Sequence, residues 1–168
     1  MEKTEREKIN KVKSTTNVEY KIFVYGTLKP GEDNYNYHCH NRYELQFECS
    51  VKGDIYDLSL GFPALVESDN VAKGVLFYFN DQQTIDQIDI LEGYDPGISA
   101  EKNLYYKKLV EVYDSNDQVI DQAYAYFMPL NRVKELKGVK VDSGCWTGKN
   151  SFKTDEHKKL VNKIRSKC

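Results

Sequence analysis

The feature that most constrains this chain is a succession of β-rich runs punctuated by turn residues. Runs over 20–25 (YKIFVY), 46–58, 73–79 (KGVLFYF), 105–113 (YYKKLVEVY) and 119–128 carry most of the Val, Ile, Tyr and Phe, with polar or glycine-containing stretches between them. Asp114-Ser115-Asn116-Asp117 separates the last two and reads as the loop of a hairpin. Strands in such a series, with few helices between them, remove their exposed edges by closing on themselves, so a closed or nearly closed antiparallel barrel is expected. Helices are expected around 34–44 and 81–92. A further helical pattern over 154–167 has acidic residues at its start and basic residues at its end, the order that suits the helix dipole.

At 168 residues the chain is long enough to bury one core without disulfides or metal. Residues 1–19 are polar, without an apolar stripe, and read as a flexible leader or a short exposed helix. The domain proper is expected over 20–146, and 147–168 as a basic helical tail. Net charge is −2, but residues 14–148 carry 12 basic and 21 acidic groups, a net of −9. A body that acidic repels nucleic acid and suits a small zwitterionic or neutral ligand. Cys39, Cys49, Cys145 and Cys168 form no CxxC pair, no apolar run reaches membrane-spanning length, and no secretory leader is expected. A cytoplasmic location, with no membrane contact, is the expectation.

Within the first run, an apolar strand passes directly into a glycine turn: Phe23-Val24-Tyr25-Gly26-Thr27-Leu28-Lys29-Pro30-Gly31. Gly26 permits a sharp turn and leaves the next N–H groups free to converge on a carboxylate or phosphate. The Gly26-xxxx-Gly31 spacing half-imitates a P-loop, but Glu32 and Asp33 stand where Lys and Ser/Thr would hold phosphate and magnesium. Polyphosphate is therefore not expected. An ordinary β-turn closing a strand fits the local composition equally well.

On a helical wheel over 81–92, Ile85, Ile88 and Leu91 share one arc, and Glu92 falls inside it. Asn80 is the expected N-cap, with Gln83 as its partner, and Gly93 the expected stop. Glu92 would then sit at the rim between packed interior and loop, where desolvation favours its protonated form and suits it to exchange protons. Fraying at the helix end would instead release it to solvent; the wheel leaves both open.

His38-Cys39-His40 completes no four-ligand set, so no metal site is expected and surface histidines are the default. No cysteine has an evident base, which leaves a Cys–His nucleophile without support. The 13 tyrosines are the largest anomaly of the composition. Most are expected to pack, with one or two turned into a barrel mouth as a wall with a hydroxyl.

Taken in order, FVYGTLKPGEDN at 23–34, GDIYDL at 53–58, GFPALV at 61–66, KGVLFYF at 73–79, LEGY at 91–94, YYKKLVEV at 105–112, AYAYF at 123–127 and SGCW at 143–146 resemble the gamma-glutamylcyclotransferase superfamily. The likeness is to its gamma-glutamylamine cyclotransferase and plant avirulence-induced branch, and it covers about 20–146. It implies an α+β fold, a small mixed β-barrel with flanking helices, whose cavity releases 5-oxoproline from a gamma-glutamyl compound without a cofactor. It also implies that Glu92 is the catalytic acid/base and that Tyr25, Gly26, Thr27 and Leu28 bind the glutamyl head group, with Tyr105 and Tyr126 as pocket residues. Lys107 stands where many members have arginine, which bears on a supporting ion pair. The rival expectation is a non-catalytic member of the same fold that binds a metabolite or a protein.

Overall fold

Residues 5–15, 20–99 and 102–148 are described by the structure, a computed structural model. In chain order the elements are α1 (Glu5–Thr15), β1 (Tyr20–Val24), α2 (Tyr35–His38), β2 (Leu45–Asp57), β3 (Pro63–Phe79), α3 (Gln82–Leu91), β4 (Tyr106–Tyr113), β5 (Val119–Phe127), α4 (Leu130–Glu135) and β6 (Val139–Lys140). Four of the five expected strands fall within a residue or two of their sequence bounds. The exception, β3, begins at Pro63 rather than near 73 and runs for 17 residues. Its first half contains the polar stretch Glu67-Ser68-Asp69-Asn70, which reads as loop from composition. Pairing with β2 brackets that stretch without including it: Val71 lies opposite Lys52 and Val66 opposite Asp54, and Glu67 to Asn70 form the excursion at the register shift between Lys52 and Asp54. Gly53 sits in that irregularity; a Cβ there would stand 2.6 Å from Leu65 Cδ1.

The strands form a ring of pairings. β3 pairs with β1, β1 with β5, β5 with β4, β4 with β2, and β2 returns to β3, while β6 is appended to β2. Two seams are thin: β4 meets β2 through Ser50 and Tyr113, and β1 meets β5 through Ile22 and Tyr124. The sheet is thus barrel-like rather than a fully hydrogen-bonded closed barrel. The β1–β5 seam is parallel, which makes the sheet mixed and corrects the expectation of antiparallel pairing throughout.

Alternation along the strands divides the core in two. Phe23 and Tyr25 share one cluster with Leu76 and Tyr78 of β3 and Ala123, Ala125 and Phe127 of β5. Ile22, Val24, Val75, Phe77 and Phe79 face the other way, into a cluster with Cys39, Ile85 and Ile88. Ile85 and Ile88 are the residues by which α3 docks. At roughly 1.5–3 kcal/mol per fully buried aliphatic side chain, the two suffice to hold a ten-residue helix that is marginal alone.

Several local expectations are corrected. The helix expected over 34–44 is only Tyr35–His38, followed by turns. Asp81, not Asn80, caps α3: its Oδ1 accepts from Gln83 N at 2.9 Å and its Oδ2 from Thr84 Oγ1 at 2.9 Å. Asn80 instead donates to Glu44. Part of the leader is the helix α1, and it is not wholly exposed, because Ile9 is buried in the second cluster. The pattern at 154–167 lies outside the described residues. Among the described residues, no helix is long and apolar enough to cross a membrane.

Candidate active site

A small cleft opens where the end of β1, the start of β3 and the end of α3 meet. Tyr25, Gly26, Thr27, Leu28, Glu92, Tyr105 and Tyr126 all line it. The seven come from four separate parts of the chain.

The turn after β1 forms the first wall. Lys29 N donates to Gly26 O at 3.0 Å, Asn34 N donates to Thr27 O at 2.9 Å, and Asn34 Nδ2 donates to Thr27 Oγ1 at 2.9 Å. The N–H groups of Gly26, Thr27 and Leu28 donate to no acceptor among the described residues. The reason for glycine at 26 differs from the expected one. Left-handed backbone occurs at Gly31, Gly61, Gly93 and Gly144, not at Gly26. Gly26 is needed because a Cβ would lie 2.6 Å from Pro63 Cδ and 2.7 Å from Pro63 Cγ, where β3 begins.

The second wall is the C-terminal end of α3. Glu92 N donates to Ile88 O, Gly93 N to Ile90 O and Tyr94 N to Asp89 O, with Gly93 at φ +63°. This is the two-bond stop that a glycine in left-handed conformation provides. It holds Glu92 as the C-cap residue just after the helix, half-buried at the cleft. The charge of Glu92 is felt around it. Burial first, then Tyr105 and Glu92, push the Tyr25 phenol well up; burial pushes the Cys39 thiol up to about 12, with Glu92 adding to it.

Tyr25, Tyr105 and Tyr126 are buried, and each uses its hydroxyl within the protein. Tyr25 donates to Tyr126 O at 2.7 Å, Tyr105 to Pro63 O, and Tyr126 to Asp89 Oδ1. The three rings therefore supply wall more than donor. Asp89, one turn before Glu92, also accepts from Lys107 Nζ at 3.1 Å. Lys107 lies 5.3 Å from the Tyr124 ring centroid, 5.7 Å from Tyr126 and 5.9 Å from Tyr94. Lysine in place of arginine thus retains an ion pair behind the cleft wall.

The remaining lining includes Phe23, Val24, Asn34, Phe62, Pro63 and Leu91. None of the described lining residues is Lys, Arg or His. Sequence reasoning named neither Asn34 nor Asp89 for the site. Asp89 had a signal in its i−3 spacing from Glu92, whereas Pro63 is brought in by strand pairing and had none. His38 and His40 are not among the residues lining the cleft. Among the described residues, no group of three or more His, Cys, Asp or Glu side chains is placed to hold a metal ion.

The architecture is a mixed barrel-like sheet with a cleft at the strand-to-turn junction, lined by one carboxylate and by the turn after β1. The chain belongs to the gamma-glutamyl cyclotransferase, AIG2-like family, whose profile matches residues 22–148. A Vibrio cholerae protein provisionally named a gamma-glutamylcyclotransferase is 40% identical over 75 residues, 45% of this chain and 64% of its own length. The gamma-L-glutamyl-butirosin B gamma-glutamyl cyclotransferase of Niallia circulans is 31% identical over 106 residues, 62% of this chain and 65% of its own. The chain thus spans just under two thirds of each relative. The crystal structure of YkqA from Bacillus subtilis matches with a TM-score of 0.54 at 22% identity, over 86% of this chain and 42% of that one, a likeness of fold.

Proposed function

We propose that the chain is a gamma-glutamyl cyclotransferase that converts a gamma-glutamyl amine, amino acid or small peptide into 5-oxoproline and the free amine. The observation that carries this reading is that the Glu92 carboxylate and the turn Gly26-Thr27-Leu28, whose N–H groups have no acceptor among the described residues, line one small cleft. With no described cation in the lining, backbone N–H dipoles are the positive ends available to a glutamyl α-carboxylate. Glu92 is the group available to its α-ammonium.

The substrate carries its own nucleophile. Once Glu92 takes a proton from the α-ammonium, the amine nitrogen attacks the side-chain carbonyl carbon and closes a five-membered ring. The bond from that carbon to the leaving nitrogen then breaks as the proton held by Glu92 passes to the departing amine, and the second proton that the ring nitrogen sheds returns through Glu92, so the amine leaves as its ammonium form. No water is consumed and no electrons change hands. The aromatic walls keep the chain curled, so that reacting atoms within one molecule meet at high effective concentration. A single carboxylate can serve as base and then acid, work that contributes typically ~10²–10⁴-fold.

A mass-spectrometric screen of gamma-glutamyl amines, amino acids and peptides for 5-oxoproline release tests the proposal. Release from at least one class is expected. No release from any of them would hand the fold to the rival reading, a metabolite-binding member without turnover.

A further inference from the structure

The substrate-facing turn is held by more than its own hydrogen bonds. At its far end Glu32 reaches to the end of the described chain. Its Oε1 accepts from Thr147 Oγ1 at 3.0 Å and its Oε2 from Gly148 N at 3.1 Å. Lys29, three residues earlier in the same turn, donates to Trp146 O. Two charged side chains thus grip three successive residues that lie more than 110 positions away in sequence.

The gripped strap is itself fixed to the barrel. Trp146 is buried, and its Nε1 donates to Asp57 Oδ1 at 3.3 Å. Lys73 N, on β3, donates to Gly144 O at 2.7 Å. Gly148 closes against the same groups, since a Cβ there would stand 3.0 Å from Trp146 Cη2 and 3.1 Å from Glu32 Oε2. The bonds inside the turn, Lys29 N to Gly26 O and Asn34 to Thr27, close it on itself. Leu28 packs the middle of the turn into the core, and the contacts of Lys29 and Glu32 with 146–148 fix its far end to the strap. Bonds to an ionised carboxylate are the stronger kind, which suits Glu32 to the task. At the level of sequence, the acid at position 32 only argued against a phosphate loop.

We infer that Glu32 is a positioning residue of the cyclotransferase site: it anchors the turn to the 146–148 strap and so sets where the N–H groups of Gly26, Thr27 and Leu28 stand. This rests on the cyclotransferase reading. Because Glu32 is not among the cleft-lining residues, its loss acts on head-group recognition and leaves the proton transfers of Glu92 in place.

The test is made on the full chain with Glu32→Ala, Glu32→Gln and Thr147→Val. Glu32→Ala is expected to raise KM roughly tenfold and leave kcat within about twofold of wild type, the signature of lost recognition rather than lost chemistry. Thr147→Val is expected to give a smaller rise, and the double variant less than the product of the two, since both cut one tether. Trp146 is the only tryptophan, so its fluorescence reads the strap without turnover. In Glu32→Ala its emission should move to the red and acrylamide quenching should increase. A KM equal to wild type, or a fall in kcat at unchanged KM, overturns the inference. If wild type releases no 5-oxoproline, the cyclotransferase reading falls by itself, and fluorescence still decides the tether: unchanged quenching in Glu32→Ala refutes it, increased quenching upholds it. Should Glu32→Ala fail to fold, Glu32→Gln, which keeps the length and one acceptor, carries the same measurements.

Discussion

Lys107→Met isolates the ion pair behind the cleft. Methionine keeps the unbranched stem of lysine and removes only the charge. The lost partner is Asp89, 3.1 Å away, in a pair whose side chains retain 14% and 18% of their exposure. Such a pair lies between the exposed case, worth about 0–1 kcal/mol, and the fully buried one, where loss of a partner costs about 3–5 kcal/mol. The three ring centroids at 5.3–5.9 Å stand near the outer reach of a cation–π contact, so their part is at the low end, about 0.5 kcal/mol. A total loss of about 2–3 kcal/mol in urea unfolding is expected from the two together. Lys107→Arg keeps the charge and should stay within about 1 kcal/mol of wild type. The Met variant should also raise KM, because Tyr126, a wall of the cleft, shares the acceptor Asp89. A Lys107→Met protein within about 0.5 kcal/mol of wild type would refute the reasoning, placing this pair with surface salt bridges.

Gly26→Ala should destabilise by about 1–3 kcal/mol and weaken substrate binding, since its Cβ would overlap Pro63, while Thr27→Ala, which loses only the Asn34 contact, should be milder; parallel melts and KM values check this. Hydrogen bonds from Lys108, first, and Tyr106 hold Glu67 below the ordinary carboxylate range. A carboxylate depressed in the native state stabilises above its unfolded pKa of about 4.3 and loses that contribution as pH falls through its native value, so Glu67→Gln should flatten the acid limb of stability against pH. With Cys168 replaced by Ser, a maleimide at pH 8 should label Cys145, which is exposed, and spare Cys39 and Cys49, whose thiols burial pushes up. Rapid labelling of Cys39 would show the α2 region opening.

What sequence could and could not reveal follows from the range of the forces involved. Strand phase was legible because alternation is local: Phe23 and Tyr25 fall in one cluster and Ile22 and Val24 in the other, as a period of two requires. The phase of Glu92 on the apolar arc was legible because helical phase and the Gly93 stop act within two turns, but whether it stayed at the rim or frayed into solvent was not. The first half of β3 was not, since Pro63 to Val66 is held in a strand by pairing with Asp54 to Asp57 of β2, a contact local composition does not encode. Nor was the docking of the leader's helix, for Ile9 alone does not make an apolar stripe, yet it is buried in the second cluster. The reason for Gly26, the commitment of three tyrosine hydroxyls and the grip of Glu32 on 146–148 all depend on neighbours brought together by the barrel.

The account turns on Glu92, and Glu92→Gln tests it most directly because it keeps size and hydrogen-bonding shape and removes the base. With a gamma-glutamyl substrate that the wild type turns over, 5-oxoproline release should fall by at least ~10²–10⁴-fold, while the unfolding transition and substrate binding persist. Release at the wild-type rate by a folded Glu92→Gln protein would contradict the assignment of the proton transfers to this residue.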